Sequence, residues 1–235
     1  MWLRYLSIFL SISSFLFGFF PQDPLVSEIK APEPHWHHKI VETYPTGEPK
    51  EVFYEVRGLP VKKISFFSSG KIQAEVDLRL LDSSLENLSL EERIVPHGVS
   101  VIFYENGQIE KIAKYENGLL EGGARLFYPS GKLKGEISFS QGKKEGKATV
   151  FYESGAKAEE MFYKDNLLHQ DYVRFYPNGN RASFISYNKG LAQGNSFEWY
   201  ENGVLKVSQH FDQGVLHSEG KHAAYMRYDE NNSMI

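Results

Sequence analysis

The chain has 235 residues, with 26 Lys and Arg against 30 Asp and Glu, and no cysteine. This length fits one domain, or one with appendages. The missing thiols exclude disulfides, a thiolate zinc site, a cysteine nucleophile and a cysteine-borne lipid anchor. Residues 103–222 hold 15 basic and 15 acidic side chains. The net charge of −4 therefore sits outside them, and no basic stripe marks the chain as a nucleic-acid binder.

The first 20 residues form an apolar run with Arg4 as its only charge. A positive start joined to such a run has the pattern of a secretory signal peptide. Counted from Trp2, it also approaches the ~20 residues that span a bilayer, so an uncleaved anchor stands beside that reading. Both predict an N-terminal apolar helix and export of the remainder of the chain. Residues 21–42 contain Pro21, Pro24, Pro32 and Pro34 and read as a stiff, extended linker.

From residue 43 the chain repeats itself. Phe103, Phe127, Phe151, Phe175 and Trp199 stand 24 residues apart, and each is followed by a tyrosine: Tyr104, Tyr128, Tyr152, Tyr176 and Tyr200. A turn then ends at Gly107, Gly131, Gly155, Gly179 and Gly203, and a second aromatic comes next at Tyr115, Phe139, Tyr163, Tyr187 and Phe211. A second turn falls at Gly118, Gly142, Asn166, Gly190 and Gly214. Looser copies lie upstream at Tyr44 to Gly47 and Phe66 to Gly70, so about seven repeats cover 43–222.

The stretches between turns are six to eight residues long, too short for stable helices, and the second one alternates apolar with polar. The first turn has the chemistry of a type I turn closed by a left-handed glycine. Each repeat is therefore predicted to be a β-hairpin, and the whole an all-β, elongated, single-layer antiparallel meander. At ~4.8 Å per strand, seven repeats would run about 65–70 Å. Residues 223–235 read as a C-terminal tail.

The copy beginning at Phe66 is 37 residues long and holds an insertion at 77–95. Ser83 to Glu86 has a capping-box pattern that predicts a short helix. The alternation of Ile72, Ala74, Val76, Leu78 and Leu80 predicts instead a prolonged, projecting hairpin. Asp77, Asp82, Glu86, Glu91 and Glu92 outweigh Arg79 and Arg93 there.

The aromatic-Tyr-x-x-Gly signature, with its second aromatic and further glycines in 24 residues, resembles the MORN repeat. It is most similar to the bacterial variant found in YwqK-type antitoxins. The resemblance covers about 180 residues and departs from the pattern at His169-Gln170, where a Glu-Gly-like pair is usual. It implies an elongated hairpin array used for protein or membrane contacts.

Candidate chemistry is sparse. His35, His37 and His38 are dense enough to suggest a Zn²⁺ or Cu²⁺ site, but no further ligand has a fixed spacing to them, and a solvated linker patch is the better reading. Gly142 to Lys147 is one residue short of a phosphate-binding loop and is also simply a repeat turn. Adjacent acids such as Glu159 and Glu160 point to opposite faces of a strand and cannot flank one substrate bond. The expectation is a protein that is not an enzyme and needs no cofactor or metal. Its candidate partner-binding residues are the tyrosine ladder, Tyr104, Tyr128, Tyr152, Tyr176 and Tyr200, and the acidic insertion, Asp82, Glu86, Glu91 and Glu92. The ladder has a competing role, stacking between hairpins. The overall expectation is an exported protein-interaction scaffold of the cell envelope or exterior with an unknown protein partner. A membrane-surface module and an antitoxin-like binding protein are the alternatives.

Overall fold

The computed structural model describes residues 25–82, 88–218 and 224–235. These residues fall into two compact units that divide between Gly122 and Gly123. The expected N-terminal helix lies outside the described residues. Among those described, no helix is long and apolar enough to cross a membrane.

The first unit contains β1 (His37–Thr43), β2 (Pro49–Val56), β3 (Leu59–Phe66), β4 (Ile72–Leu80), β5 (Ile94–Phe103) and β6 (Ile109–Glu116); β7 (Leu119–Phe127) carries the division. The second unit contains β8 (Leu133–Ser140), β9 (Lys143–Phe151), β10 (Lys157–Lys164), β11 (Leu167–Leu168), β12 (Gln170–Phe175), β13 (Arg181–Asn188), β14 (Leu191–Trp199), β15 (Leu205–Asp212), β16 (Val215–Leu216) and β17 (Tyr225–Arg227). Within each unit the strands pair antiparallel with sequence neighbours, as in β2 with β3 and β13 with β14. The all-β hairpin meander predicted from the repeat is therefore the observed architecture.

Both kinds of turn arise from their residues. At the first kind, the Tyr104 N–H donates to the Gln108 carbonyl and the Gly107 N–H to the Tyr104 carbonyl, each at 2.8 Å. Gly107 has φ 89°, which a side chain would strain. The same two bonds recur at Tyr44, Phe67, Tyr128, Tyr152, Tyr176 and Tyr200. At the second kind, two consecutive residues have positive φ, as in Asn117 (50°) and Gly118 (86°). That is the geometry of a two-residue type I′ hairpin turn.

Two assignments are corrected, and one pair of alternatives is decided. Residues 37–42, read as linker, belong to β1, which pairs with β2. The residues before it form a 3-10 turn, Val26–Glu28, in which Val26 is buried. Among the described residues, strand pairing begins at His37, three residues after Pro34. The C-terminal tail is also structured. β17 pairs with β15, the Asp229 N–H donates to the Ser233 carbonyl and the Asn232 N–H to the Asp229 carbonyl, and Asn232 has φ 63°. Tyr228 to Asn232 thus reproduces the first-turn geometry with asparagine in place of glycine. Finally, the insertion resolves as a prolonged hairpin, with Leu78 facing Pro96, Arg79 facing Val95 and Leu80 facing Ile94. The capping-box helix at Ser83–Glu86 falls outside the described residues. A reciprocal pair of that kind forms instead at Ser89 and Glu92, whose side chains each accept from the other's backbone N–H at 3.3 and 2.8 Å.

The departure at His169-Gln170 has a structural trace. Gln170 holds φ 63°, a left-handed conformation that costs a side-chain-bearing residue about 1–2 kcal/mol. The run from Leu167 to Phe175, which pairs with β10 and β13, is interrupted there, between β11 and β12. Gln170→Gly is accordingly expected to stabilise the protein by about 0.5–1 kcal/mol after the entropy of glycine is offset, measured by urea unfolding. A loss of stability would show that the glutamine side chain makes a contact of its own.

Candidate functional site

The tyrosine ladder has a consistent geometry. The Tyr128 hydroxyl donates to the Phe151 carbonyl (2.8 Å), Tyr152 to Phe175 (2.7 Å) and Tyr176 to Trp199 (2.9 Å). Tyr44 donates to the Phe66 carbonyl at 2.8 Å and Tyr200 to the Tyr228 carbonyl at 3.0 Å. In every case the acceptor is the leading aromatic residue of the next copy. The Tyr200 bond thereby identifies Tyr228 as the leading residue of a further copy, 29 rather than 24 residues on. The hydroxyls of Tyr128, Tyr152, Tyr176 and Tyr200 are thus engaged in stitching one hairpin to the next. Tyr104 occupies the same repeat position, and burial raises its pKa.

The acidic residues of the insertion are not gathered into one cluster of the described structure. Asp82 is exposed at the end of the β4 arm, Glu91 lies in the turn before β5, and Glu86 is outside the described residues. Glu92 is held below the usual carboxylate range by the Ser89 backbone and side-chain hydrogen bonds. The histidines near the N-terminus are spread out. His35 contacts Glu33 at 3.4 Å, and the His38 ring lies 6.3 Å from the Tyr54 ring. Among the described residues no group of three His, Asp or Glu side chains is placed to hold a metal ion.

The most unusual chemistry lies on the face that carries Val52 and Ile64, here called face A. In the first unit a row of paired residues crosses it: Val52 faces Ile64, Ile64 faces Glu75, Glu75 faces Val101, and Val101 faces Ile112. Glu75 therefore stands within an aliphatic row. Lys62 Nζ reaches Glu75 Oε2 at 3.1 Å and Asp77 Oδ1 at 3.0 Å. The side chains of Lys62 and Glu75 are 1% and 3% exposed. Glu75 Oε1 has no hydrogen-bond partner among the described residues. Burial pushes the Glu75 carboxyl above its ordinary pKa, with Lys62 opposing the shift. Burial also raises the Tyr54 phenol beside it, assisted by the Glu75 charge.

The same ion pair recurs in the second unit. Lys62 and Glu75 stand four before and nine after Phe66, and Lys147 and Glu160 stand four before and nine after Phe151. Lys147 Nζ is 2.8 Å from Glu160, but these side chains are 63% and 23% exposed. Lys157 also reaches Glu160, at 2.7 Å. Here the Lys147 and then the Lys157 hydrogen bond hold the carboxyl below its ordinary pKa. One repeat position therefore carries two opposite shifts: burial, with a smaller contribution from Asp77, raises Glu75, whereas the open Glu160 has a second cation in Lys157. In the first unit, Trp36 packs against the cluster of Val52, Tyr54, Ile64 and Phe66. Glu28 pairs with Lys114 at 2.8 Å, and Val26 is buried.

Sequence reasoning did not single out these pairs, although the signal is present: a lysine and a glutamate 13 residues apart, at matching repeat positions. Other copies place different polar pairs nearby. The Ser186 hydroxyl donates to Asp171 at 2.6 Å, and His210 Nδ1 lies 2.7 Å from Asn195 Oδ1.

Likeness to known proteins tracks the repeat. The MORN repeat variant matches residues 96–117, 120–141, 144–165 and 192–213. No curated protein matches the chain. Among solved structures, an S. aureus TarM mutant in complex with fondaparinux, alpha-GlcNAc-glycerol and UDP is 19% identical, with a TM-score of 0.29 over 43% of this chain and 20% of that one. The TcdB2-TccC3-Cdc42 structure is 10% identical, with a TM-score of 0.23 over 80% of this chain and 9% of that one. The GtfA/B complex bound to UDP and GlcNAc is 10% identical, with a TM-score of 0.18 over 72% and 26%. The chain thus spans about a quarter or less of each of these proteins, and likenesses this low carry no weight for function.

Two outcomes are expected from this geometry. Tyr152→Phe removes one stitch and should cost about 1 kcal/mol, read from denaturant unfolding. Lys62→Ala strands two carboxylates in a covered site and should cost about 3–5 kcal/mol, whereas Lys147→Ala at the equivalent open position should cost under about 1 kcal/mol. Equal costs for the two lysines would contradict the difference in cover.

Proposed function

From a chain that carries MORN-variant repeats, we propose a non-enzymatic repeat protein that works as a protein-interaction scaffold, exported to the cell envelope or beyond. The observation that carries this reading is the run of four repeat matches between residues 96 and 213, since repeat surfaces of this type are suited to extended contacts. The stitching tyrosines supply a regular backbone for such a surface, and the projecting insertion hairpin individualises it. Export rests on the charge and apolar pattern of residues 1–20 alone. The resemblance to YwqK-type antitoxins would make the partner a protein to be neutralised, and export would place that partner outside the cytoplasm.

A second reading, a module that contacts lipid, is favoured by one feature. Leu119, Leu167, Leu191 and Val215 occupy one repeat position after the type I′ turns, and all are at least half exposed or close to it. Apolar side chains along a turn edge could enter a bilayer interface. The neutral charge of residues 103–222 works against attraction to anionic lipid.

In-cell crosslinking and pull-down, comparing the full chain with one lacking the insertion loop, tests the scaffold. A discrete protein partner that is reduced or lost without the insertion is expected. Flotation on anionic liposomes should fail for a protein lacking residues 1–24. Flotation of that protein, with no protein partner captured, would replace the scaffold by the lipid module.

A further inference from the structure

We infer that face A of the second unit is a docking face for an extended segment of a partner protein, one that combines large apolar residues with an acidic one. This deepens the scaffold reading and rests on it. The template is the chain itself. In the first unit, the row from Val52 to Ile112 is almost fully withdrawn from solvent, although a meander has no second sheet to cover it. Two residues of the segment 25–36 reach that face, one at each end of the row. Trp36 packs at the Val52 and Ile64 end, and Glu28 bonds Lys114 on β6 at the other. The row spans β2 to β6, about 19 Å at ~4.8 Å per strand. The stretch from Leu25 to Trp36 can reach roughly 36 Å when extended, so it is long enough to cross.

The second unit presents the same row without such a segment of the described chain bonded to it. Glu160 faces Val173, Val173 faces Phe184, and Phe184 faces Phe197. All four are only partly buried. Their ring contacts run along the sheet, Phe184 to Phe197 at 6.4 Å and Phe197 to Trp199 at 5.8 Å. At one end of this aromatic row two ammonium groups, Lys147 and Lys157, share the single Glu160 carboxylate. Both ammonium groups are more than half exposed and can meet an acidic residue of an incoming segment, as Lys114 meets Glu28, although Glu136 stands in the same row across Thr149. Apolar anchors would take the aromatic row, which matches the use of buried aromatics at interface centres.

The test begins with the full chain and a synthetic peptide of the sequence of residues 25–36. Saturable binding is expected, with hydrogen-exchange protection in β10 and β12 to β14. Replacing both Lys147 and Lys157 by Gln should weaken binding at least tenfold in a protein that still unfolds cooperatively, and Phe184→Ala should weaken it likewise. No saturable binding, protection confined to the first unit, or unchanged affinity in the lysine variant would overturn the inference. A photocrosslinker placed in cells at Phe184 or at Glu91 then separates this inference from the scaffold reading. Crosslinks at Phe184 to an apolar and acidic segment of another protein, competed by the peptide, support it. Crosslinks at Glu91 alone retain the scaffold and overturn the docking face, and crosslinks at neither position sink both. A crosslink from Phe184 to residues 25–36 of a second copy would overturn the partner form by identifying the occupant as this chain.

Discussion

A meander whose strands pair only with sequence neighbours has to solve one problem before any other: its faces have no opposite layer. Hydrogen-bonded pairing holds the strands together, but apolar side chains gain little unless something excludes water from them. Two devices meet this need here. Tyrosine side chains fold over the first-turn edge and donate to the carbonyl of the next leading aromatic residue, linking consecutive hairpins. In the first unit Trp36 packs against the Val52, Tyr54, Ile64 and Phe66 cluster and Glu28 pairs with Lys114, bringing the segment before β1 to a row that is almost fully buried.

The effect of cover is clearest in charge. Lys62–Glu75 and Lys147–Glu160 are the same pair of residue types in the same repeat positions, with N–O distances of 3.1 and 2.8 Å. Their surroundings differ in burial and in charge, with Asp77 sharing Lys62 and Lys157 joining Lys147. Covered, the carboxylate loses hydration that the lysine does not fully replace, and its proton is held more tightly. Open to water and served by two ammonium groups, the other carboxylate gives up its proton more readily. By linkage, Glu75 favours the fold below the unfolded carboxylate pKa, and that contribution is lost as pH rises through its raised folded value. Glu160 favours the fold above the unfolded pKa, and its contribution is lost as pH falls through its lowered folded value.

Much of the architecture was legible in the sequence because turn chemistry is local. Glu-Asn-Gly after an aromatic-Tyr pair carries its own hydrogen-bond pattern, and the 24-residue period repeats it. The features that escaped depend on distant contacts. The copy at Tyr228 was hidden by five extra residues and by Asn232 in place of glycine, and only the Tyr200 bond exposes it. β1, with the sequence His-His-Lys-Ile-Val-Glu-Thr, has no alternation to mark it as a strand; its pairing with β2 decides its structure. Among the proposed binding residues, most of the tyrosines have hydroxyls engaged in stitching, and Glu92 closes a local loop. The Lys62–Glu75 pair was visible as residues, but its burial is a property of the packed strands that residue spacing does not reveal.

The central claim is that burial, to which Trp36 contributes, is the main cause of the raised Glu75 carboxyl. Its most direct test is an NMR titration of the Glu75 and Glu160 side-chain carboxyls in the same protein, with and without Trp36→Ala. Glu75 should titrate above and Glu160 below the ordinary carboxylate value, and Trp36→Ala should move Glu75 downward while leaving Glu160 in place. Coincident titration of the two carboxyls, or a Glu75 curve indifferent to Trp36, would contradict the claim.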